Sequence, residues 1–111
     1  MDYEREIQEF LLRLLKDDLL VPEKKLKPEA RIYHDLGITG DDAVEFLLAV
    51  RNRYPFDARD FDFQNYFDGE GLPLPGSKIL GIPSNGPKVK TPLTIIHLAK
   101  VCAAQKWFDP E

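Results

Sequence analysis

The most informative stretch of this chain is DLGITGDDAVEFLLAV, at residues 35–50. A threonine followed by aspartates is typical of a helix start, because the hydroxyl can cap free backbone N–H groups and the negative charge complements the helix dipole. We therefore predict a helix that begins near Thr39, with Asp42 reaching back as in a capping box. Pro55 predicts its end near Tyr54. Its apolar stripe is wider than one face requires, so it is either buried among several helices or leaves part of its surface for a ligand or partner.

Two further helices are predicted on either side of this one. In the first, apolar residues recur at three- and four-residue spacing from Tyr3 to Leu14, and the helix should end before Pro22. The last is predicted to start at Thr91-Pro92, because threonine is a good N-cap and proline suits the first helical position. Its buried face should carry Ile95, Leu98, Ala99 and Cys102.

The segments between these helices are less regular. Residues 22–38 form a long loop that apolar side chains attach to the core. Residues 58–67 hold four bulky aromatic side chains, for which we favour an irregular or helical turn that fills the core. Residues 69–90 are rich in glycine and proline, so they form an insertion rather than a helix, with a short hairpin as one possibility. This insertion is locally basic, with three lysines and one glutamate.

Composition excludes several classes of protein. The chain has 111 residues, 43% of them hydrophobic and 31% charged, which fits one globular domain over residues 1–111. Its one cysteine excludes a disulfide framework and a cysteine-based zinc site. No stretch is apolar enough to cross a membrane, and the start of the chain lacks a signal-peptide pattern, so we expect a cytoplasmic protein. The formal net charge is −4, and residues 1–68 carry 16 acids against 10 bases, which argues against nucleic acid as a partner.

The quoted stretch resembles the central motif of acyl carrier proteins. In that family Asp-Leu-Gly precedes Asp-Ser-Leu-Asp by two positions, and Val-Glu follows in the second helix. The match is ungapped, and the residues that fall on the family pattern are Asp35, Leu36, Gly37, Asp42, Val44, Glu45 and Ala49. The resemblance covers nearly the whole chain outside residues 69–90. It implies an all-α, acyl-carrier-like four-helix bundle with an insertion before the last helix, and it extends to small uncharacterised bacterial proteins that share the pattern.

The resemblance breaks at the position that carries the family's chemistry. The serine that holds phosphopantetheine in a carrier is replaced by Gly40, which has no side-chain oxygen. Thr39 and Asp41 also depart from the motif, and Thr39 lies one residue out of register. The serines of the chain, Ser77 and Ser84, lie in the insertion. The sequence therefore predicts a protein without the prosthetic group or another cofactor.

What remains of the carrier pattern predicts a surface for contact with another protein. Carriers meet their enzymes through the acidic second helix, so the resemblance implies a basic protein partner, such as a fatty-acid or polyketide type enzyme. The residues predicted to bind it, including an exposed apolar edge around Phe46, are Thr39, Gly40, Asp41, Asp42, Glu45 and Phe46. The alternative is an unorthodox carrier or a binder of an apolar ligand or lipid, held among Leu47, Leu48, Phe61 and Ile95.

No catalytic or metal-binding pattern is found in the sequence. His34 and His97 have no Cys or carboxylate partner at metal-ligand spacing, so no metal is predicted. Cys102 is predicted to be a core thiol rather than a nucleophile, because nucleophilic cysteines lie in exposed, electropositive surroundings. The protein is therefore predicted not to be an enzyme.

Overall fold

The computed structural model describes residues 3–68 and 90–110. These residues form three α-helices, α1 (Tyr3–Asp17), α2 (Gly40–Arg53) and α3 (Ile95–Ala104), and two 3₁₀ helices, Glu23–Lys25 and Phe63–Asn65. Within these two ranges no strand forms, and the only β pairing consists of isolated bridges from Arg31 to Thr94 and from Asp57 to Lys106. The all-α class is thus confirmed, whereas the four-helix carrier arrangement stays a prediction. The hairpin and most of the 69–90 insertion lie outside the described residues.

Helix α1 forms one wall of the core. Ile7, Leu11 and Leu15 follow one another at four-residue spacing and are completely buried, as expected for an amphipathic helix. The helix packs mainly on α3 and also touches α2. Burial of each such aliphatic side chain contributes about 1.5–3 kcal/mol, so this row alone anchors the helix.

Helix α2 has the predicted limits but not the predicted cap. Thr39 occupies the N-cap position with an extended backbone, and Arg53 is the last helical residue, ahead of Pro55. The predicted capping box is wrong, because the Thr39 side chain makes no hydrogen bond to the first turn. Its hydroxyl binds the backbone of Asp68 instead, accepting from the N–H at 2.7 Å.

Helix α3 begins three residues later than the sequence predicted, at Ile95 instead of Pro92. The residue that caps it is Thr94, whose Oγ1 accepts a hydrogen bond from the N–H of His97 at 3.1 Å. The preceding segment is attached to two loops: Thr91 N–H donates to the carbonyl of Asn65, and the carbonyl of Leu93 accepts from Ile32 N–H. These long-range bonds hold residues 91–93 in a non-helical conformation, and the prediction of Thr91 as N-cap is wrong.

An aromatic cluster closes the core beside α3. The aromatic segment 58–67 contributes Phe61, Phe63, Tyr66 and Phe67, all at most 4% exposed, which confirms that they fill the core. Trp107 packs edge-on against Phe61, with ring centroids 4.5 Å apart. The carboxylate of Asp109 accepts hydrogen bonds from Tyr66 Oη and Trp107 Nε1, each at 3.0 Å. This shared acceptor attaches the segment after α3 to the core.

Candidate functional site

The predicted binding residues meet at the start of α2 but differ in exposure. Asp41, Asp42 and Glu45 are exposed, and within the described parts of the chain none of the three makes a hydrogen bond or an ion pair. Glu45 lies three and four residues after the two aspartates, so its carboxylate repels each of theirs at a cost of about 0.2–0.5 kcal/mol per pair. The helix dipole offsets this for the two aspartates of the first turn, but Glu45 lies beyond that turn. Helix stability alone therefore does not explain the full cluster.

The expected exposed apolar edge at Phe46 is wrong. Phe46 is 1% exposed and belongs to the hydrophobic core. The apolar side chains that flank the acidic cluster are instead Val44 and Leu48, which are partly buried. Asp41, Val44, Glu45 and Leu48 stand at the i, i+3, i+4 and i+7 spacing of a single helix face. Counting helical positions outward from Asp41, rather than reading the apolar run as a whole, would have identified them.

Gly40 starts α2 with a left-handed backbone. Its φ is +60°, a region that L-residues with a side chain rarely adopt. A Cβ built at this position would have no neighbouring heavy atom within 4 Å, so the constraint is conformational and not steric. The Gly40 N–H donates to the carbonyl of Asp68 at 2.9 Å. At the position that the resemblance aligns with the carrier serine, the chain thus has no side-chain oxygen and has a backbone that suits glycine.

The Asp-Leu-Gly part of the motif shapes the turn before α2. The carboxylate of Asp35 accepts hydrogen bonds from Arg31, at 2.8 Å from the backbone N, 3.1 Å from Nε and 2.9 Å from Nη2. These side-chain and backbone bonds lower the pKa of Asp35 to about 2. Leu36 packs partly against the core, and Gly37 takes a left-handed φ of +71°. In this chain the motif therefore has a structural role that requires no ligand.

Five residues form a polar junction beside the start of α2, here called the Asp68 junction: Tyr33, Thr39, Gly40, Asp68 and Lys90. Tyr33 Oη donates to Asp68 Oδ2 at 2.9 Å, and Lys90 Nζ lies 3.3 Å from Asp68 Oδ1. The hydrogen bond from Tyr33 and the ammonium of Lys90 lower the pKa of Asp68. The bond to this carboxylate in turn raises the pKa of Tyr33.

The Asp68 junction joins the two ends of the insertion. Asp68 directly precedes residues 69–89 and Lys90 directly follows them. The side chain of Lys90 is only 9% exposed and also donates to the carbonyl of Gln64 at 2.9 Å. Because Asp68 also binds the backbone of Gly40, both ends of the insertion are attached to the start of α2. Sequence reasoning missed this, since no local pattern links residues 39, 68 and 90.

The Thr39 hydroxyl is already engaged in the junction. It accepts from Asp68 N–H at 2.7 Å and lies 3.4 Å from the Asp68 carbonyl, to which it donates. Attachment of a prosthetic group at this oxygen would remove the donated bond and crowd the accepted one. Thr39 is therefore a poor substitute for the serine that the motif lacks.

The remaining reactive side chains form no site within the described ranges. No group of three His, Cys, Asp or Glu residues is found there with metal-binding geometry. Burial raises the pKa of the Cys102 thiol to about 12, as expected for a core residue. His97 Nε2 lies 2.7 Å from the carbonyl of Phe108, and the exposed His34 packs against the ring of Tyr33.

The residues proposed to line an apolar ligand site are mostly closed in the core. Leu47, Phe61 and Ile95 are at most 3% exposed, and Leu48 is partly buried. An open groove of about 670 Å³ is lined by Tyr3, Glu4, Arg5, Gln8, Pro28 and Ala103, and another of about 370 Å³ lies beside Lys25. Neither of these grooves contains any of the four residues. No helix of the described ranges is both long and apolar enough to cross a membrane.

Comparison with known proteins identifies a family. A family model described as "Protein of unknown function (DUF1493)" matches residues 1–109. The match covers nearly the full chain, and the protein belongs to this family. No curated protein and no solved structure matches the chain.

Proposed function

We propose that this family member is a non-catalytic, acyl-carrier-like protein-interaction module that binds a basic protein partner through the start of α2. The observation that carries the proposal is the acidic face: Asp41, Asp42 and Glu45 are exposed beside the partly buried Val44 and Leu48, and none of the three is paired with a residue of 3–68 or 90–110. Carboxylates beside apolar side chains suit a partner that presents lysines or arginines around a small apolar contact.

The absence of an attachment oxygen at Gly40 favours contact over cargo. A carrier needs both the acidic helix, which its enzymes contact, and the serine that holds the arm. This chain has the acidic helix, but a glycine with a left-handed backbone stands at the position that the resemblance aligns with the serine. We therefore propose no bound cofactor and no catalytic step. The resemblance points to an enzyme of the fatty-acid or polyketide type as partner, in the cytoplasm of a bacterium, with this chain as a single four-helix carrier-like domain.

Reversal of charge on the acidic face tests the proposal. The tagged protein is used to capture partners from its host, and the affinity of each purified partner is then measured for wild type and for Asp42→Lys/Glu45→Lys. We expect this variant to bind at least about tenfold more weakly, equivalent to about 1.4 kcal/mol, because attraction becomes repulsion. The wild-type affinity should also fall as salt is raised.

A matched control separates the acidic face from the overall charge. Asp17 and Asp18 are exposed at the end of α1, so Asp17→Lys/Asp18→Lys changes the net charge by the same amount at another place. This control should bind like wild type. Equal weakening in both variants would reject the acidic face as the binding surface, as would unchanged binding of the Asp42/Glu45 variant at low salt.

A further inference from the structure

A basic patch precedes the motif of residues 35–50, which contains the acidic face. Lys24 and Lys25 belong to the first 3₁₀ helix, and Lys27 follows it. All three are exposed, and none makes an ion pair with another described residue. They line an open groove of about 370 Å³ together with Glu29, Ala30 and Asp35.

The acidic residues of this groove do not cancel its positive charge. The carboxylate of Asp35 is paired with the guanidinium of Arg31 at 2.9 Å, so Glu29 is the one acid left to oppose three lysines. The groove is thus a local positive site on a chain whose formal net charge is −4. The groove should attract an acidic surface, and the chain itself carries one in the exposed residues Asp41, Asp42 and Glu45.

We propose that the basic groove of one copy binds the acidic face of α2 in a second copy. The two surfaces carry equal numbers of exposed charges of opposite sign, none of them paired with another residue that the structure describes: Lys24, Lys25 and Lys27 against Asp41, Asp42 and Glu45. This inference goes beyond the proposed function, because it adds a second partner for the acidic face. Self-association and binding of the basic protein partner then compete for the same carboxylates.

The position of the two surfaces favours a closed dimer. Asp35 lines the basic groove and precedes Asp41 by six residues, so their Cα atoms are at most about 20 Å apart. This separation is short enough for one neighbouring molecule to span both surfaces. A two-fold axis brings the groove of each copy to the acidic face of the other, which forms two equivalent contacts and ends growth at the dimer.

Salt should act on this dimer in two ways. At about 0.01 M salt the Debye length is about 30 Å, so the net negative charge of the two copies opposes association. At about 0.1 M it falls to about 10 Å, and the facing charges dominate. At about 1 M both effects are screened. We expect association to be strongest near the intermediate salt and at least about tenfold weaker at the highest.

Sedimentation equilibrium of the full chain tests the proposal directly. Lys24→Glu/Lys25→Glu/Lys27→Glu should abolish the dimer at about 0.1 M salt, where nearby charges dominate. The matched control Arg5→Glu/Arg13→Glu/Lys100→Glu reaches the same net charge with three exposed residues elsewhere and should still dimerise. Circular dichroism of each variant establishes that it is folded.

Mixing variants gives the sharpest result. The variant Asp41→Lys/Asp42→Lys/Glu45→Lys should also be monomeric, because both of its surfaces are then basic. Mixed with the Lys24/Lys25/Lys27 variant it should form a heterodimer, since both contacts are again complementary. Mixed with the matched control it should associate at least about tenfold more weakly, because only one contact is complementary.

Three results would overturn the proposal. The first is a wild-type protein that is monomeric at every salt concentration, and the second is a matched control that loses association as much as the Lys24/Lys25/Lys27 variant does. The third is an Asp41/Asp42/Glu45 variant that binds the matched control as strongly as it binds the Lys24/Lys25/Lys27 variant. Capture of only a separate acidic protein by the groove, with no dimer, would also reject it. The Lys24/Lys25/Lys27 variant leaves the acidic face of α2 intact. Binding of the basic protein partner can therefore still be measured with it, and failure of self-association remains distinct from failure of the proposed function.

Discussion

Replacement of Gly40 tests the left-handed start of α2. Gly40 has φ of +60° and a hypothetical Cβ meets no atom within 4 Å, so Gly40→Ala should cost conformational energy without a clash. Holding a residue that has a side chain in this region costs about 1–2 kcal/mol of folding free energy. Alanine also has less conformational entropy than glycine in the unfolded chain, which offsets about 0.4–1 kcal/mol of that cost. The net loss of about 1 kcal/mol should lower Tm by about 4 °C for a domain of this size.

Asparagine and serine make this test specific. Gly40→Asn should be closer to wild type than Gly40→Ala, because asparagine tolerates the left-handed region. Gly40→Ser, which restores the side chain that carriers have, should lose about as much stability as alanine. Thermal and urea unfolding followed by circular dichroism measure all three. An alanine variant as stable as wild type would refute the left-handed conformation and the reason given for glycine at this position.

Three further predictions concern the groups around the site. The lowered pKa of Asp35 stabilises the folded state above the ordinary value of 3.8, and this contribution is lost as the pH falls toward about 2. Asp35→Asn should therefore unfold at lower urea than wild type near neutral pH, and a difference that persists undiminished at pH about 2 would contradict the pairing. Cys102 should react with an alkylating reagent only as the protein unfolds, because its thiol is buried with a pKa of about 12; fast labelling of the folded protein would oppose this. Asp109→Ala should lower the free energy of unfolding by about 1 kcal/mol, because Tyr66 and Trp107 lose their shared acceptor, and tryptophan fluorescence reports it; an unchanged unfolding midpoint would reject that role.

The parts of the fold that depend on local patterns were predictable. The limits of α2 follow from Thr39 and Pro55, and helical spacing correctly predicted the buried row of α3. In α1 the spacing identified the buried Ile7 and Leu11, but Tyr3 is 53% exposed and Leu14 is only partly buried. The aromatic segment was correctly assigned to the core, because four bulky rings in ten residues leave few other places for that apolar area.

The errors have a common physical cause in contacts between distant residues. Thr39 does not cap α2 with its side chain, because Asp68, 29 residues away, takes its hydroxyl. Thr91 does not start α3, because the N–H groups of Ile95 and Ile96, which would bond the first carbonyls of such a helix, donate instead to Ala30 and Pro28. Phe46 was assigned to an exposed edge because an unusually apolar helix does not reveal from sequence which side meets the core. Each residue type was interpreted correctly, but the distant residues that it contacts could not be identified from a local pattern.

We propose that the start of α2 serves contact and not cargo. The most direct test is the intact mass of the protein purified from its own host, measured before and after incubation with coenzyme A and a phosphopantetheinyl transferase. We expect the unmodified mass in both samples, because Gly40 has no side-chain oxygen and the Thr39 hydroxyl is hydrogen-bonded to Asp68. A gain equal to one phosphopantetheine in either sample would contradict it and would make this chain a carrier with an unusual attachment site.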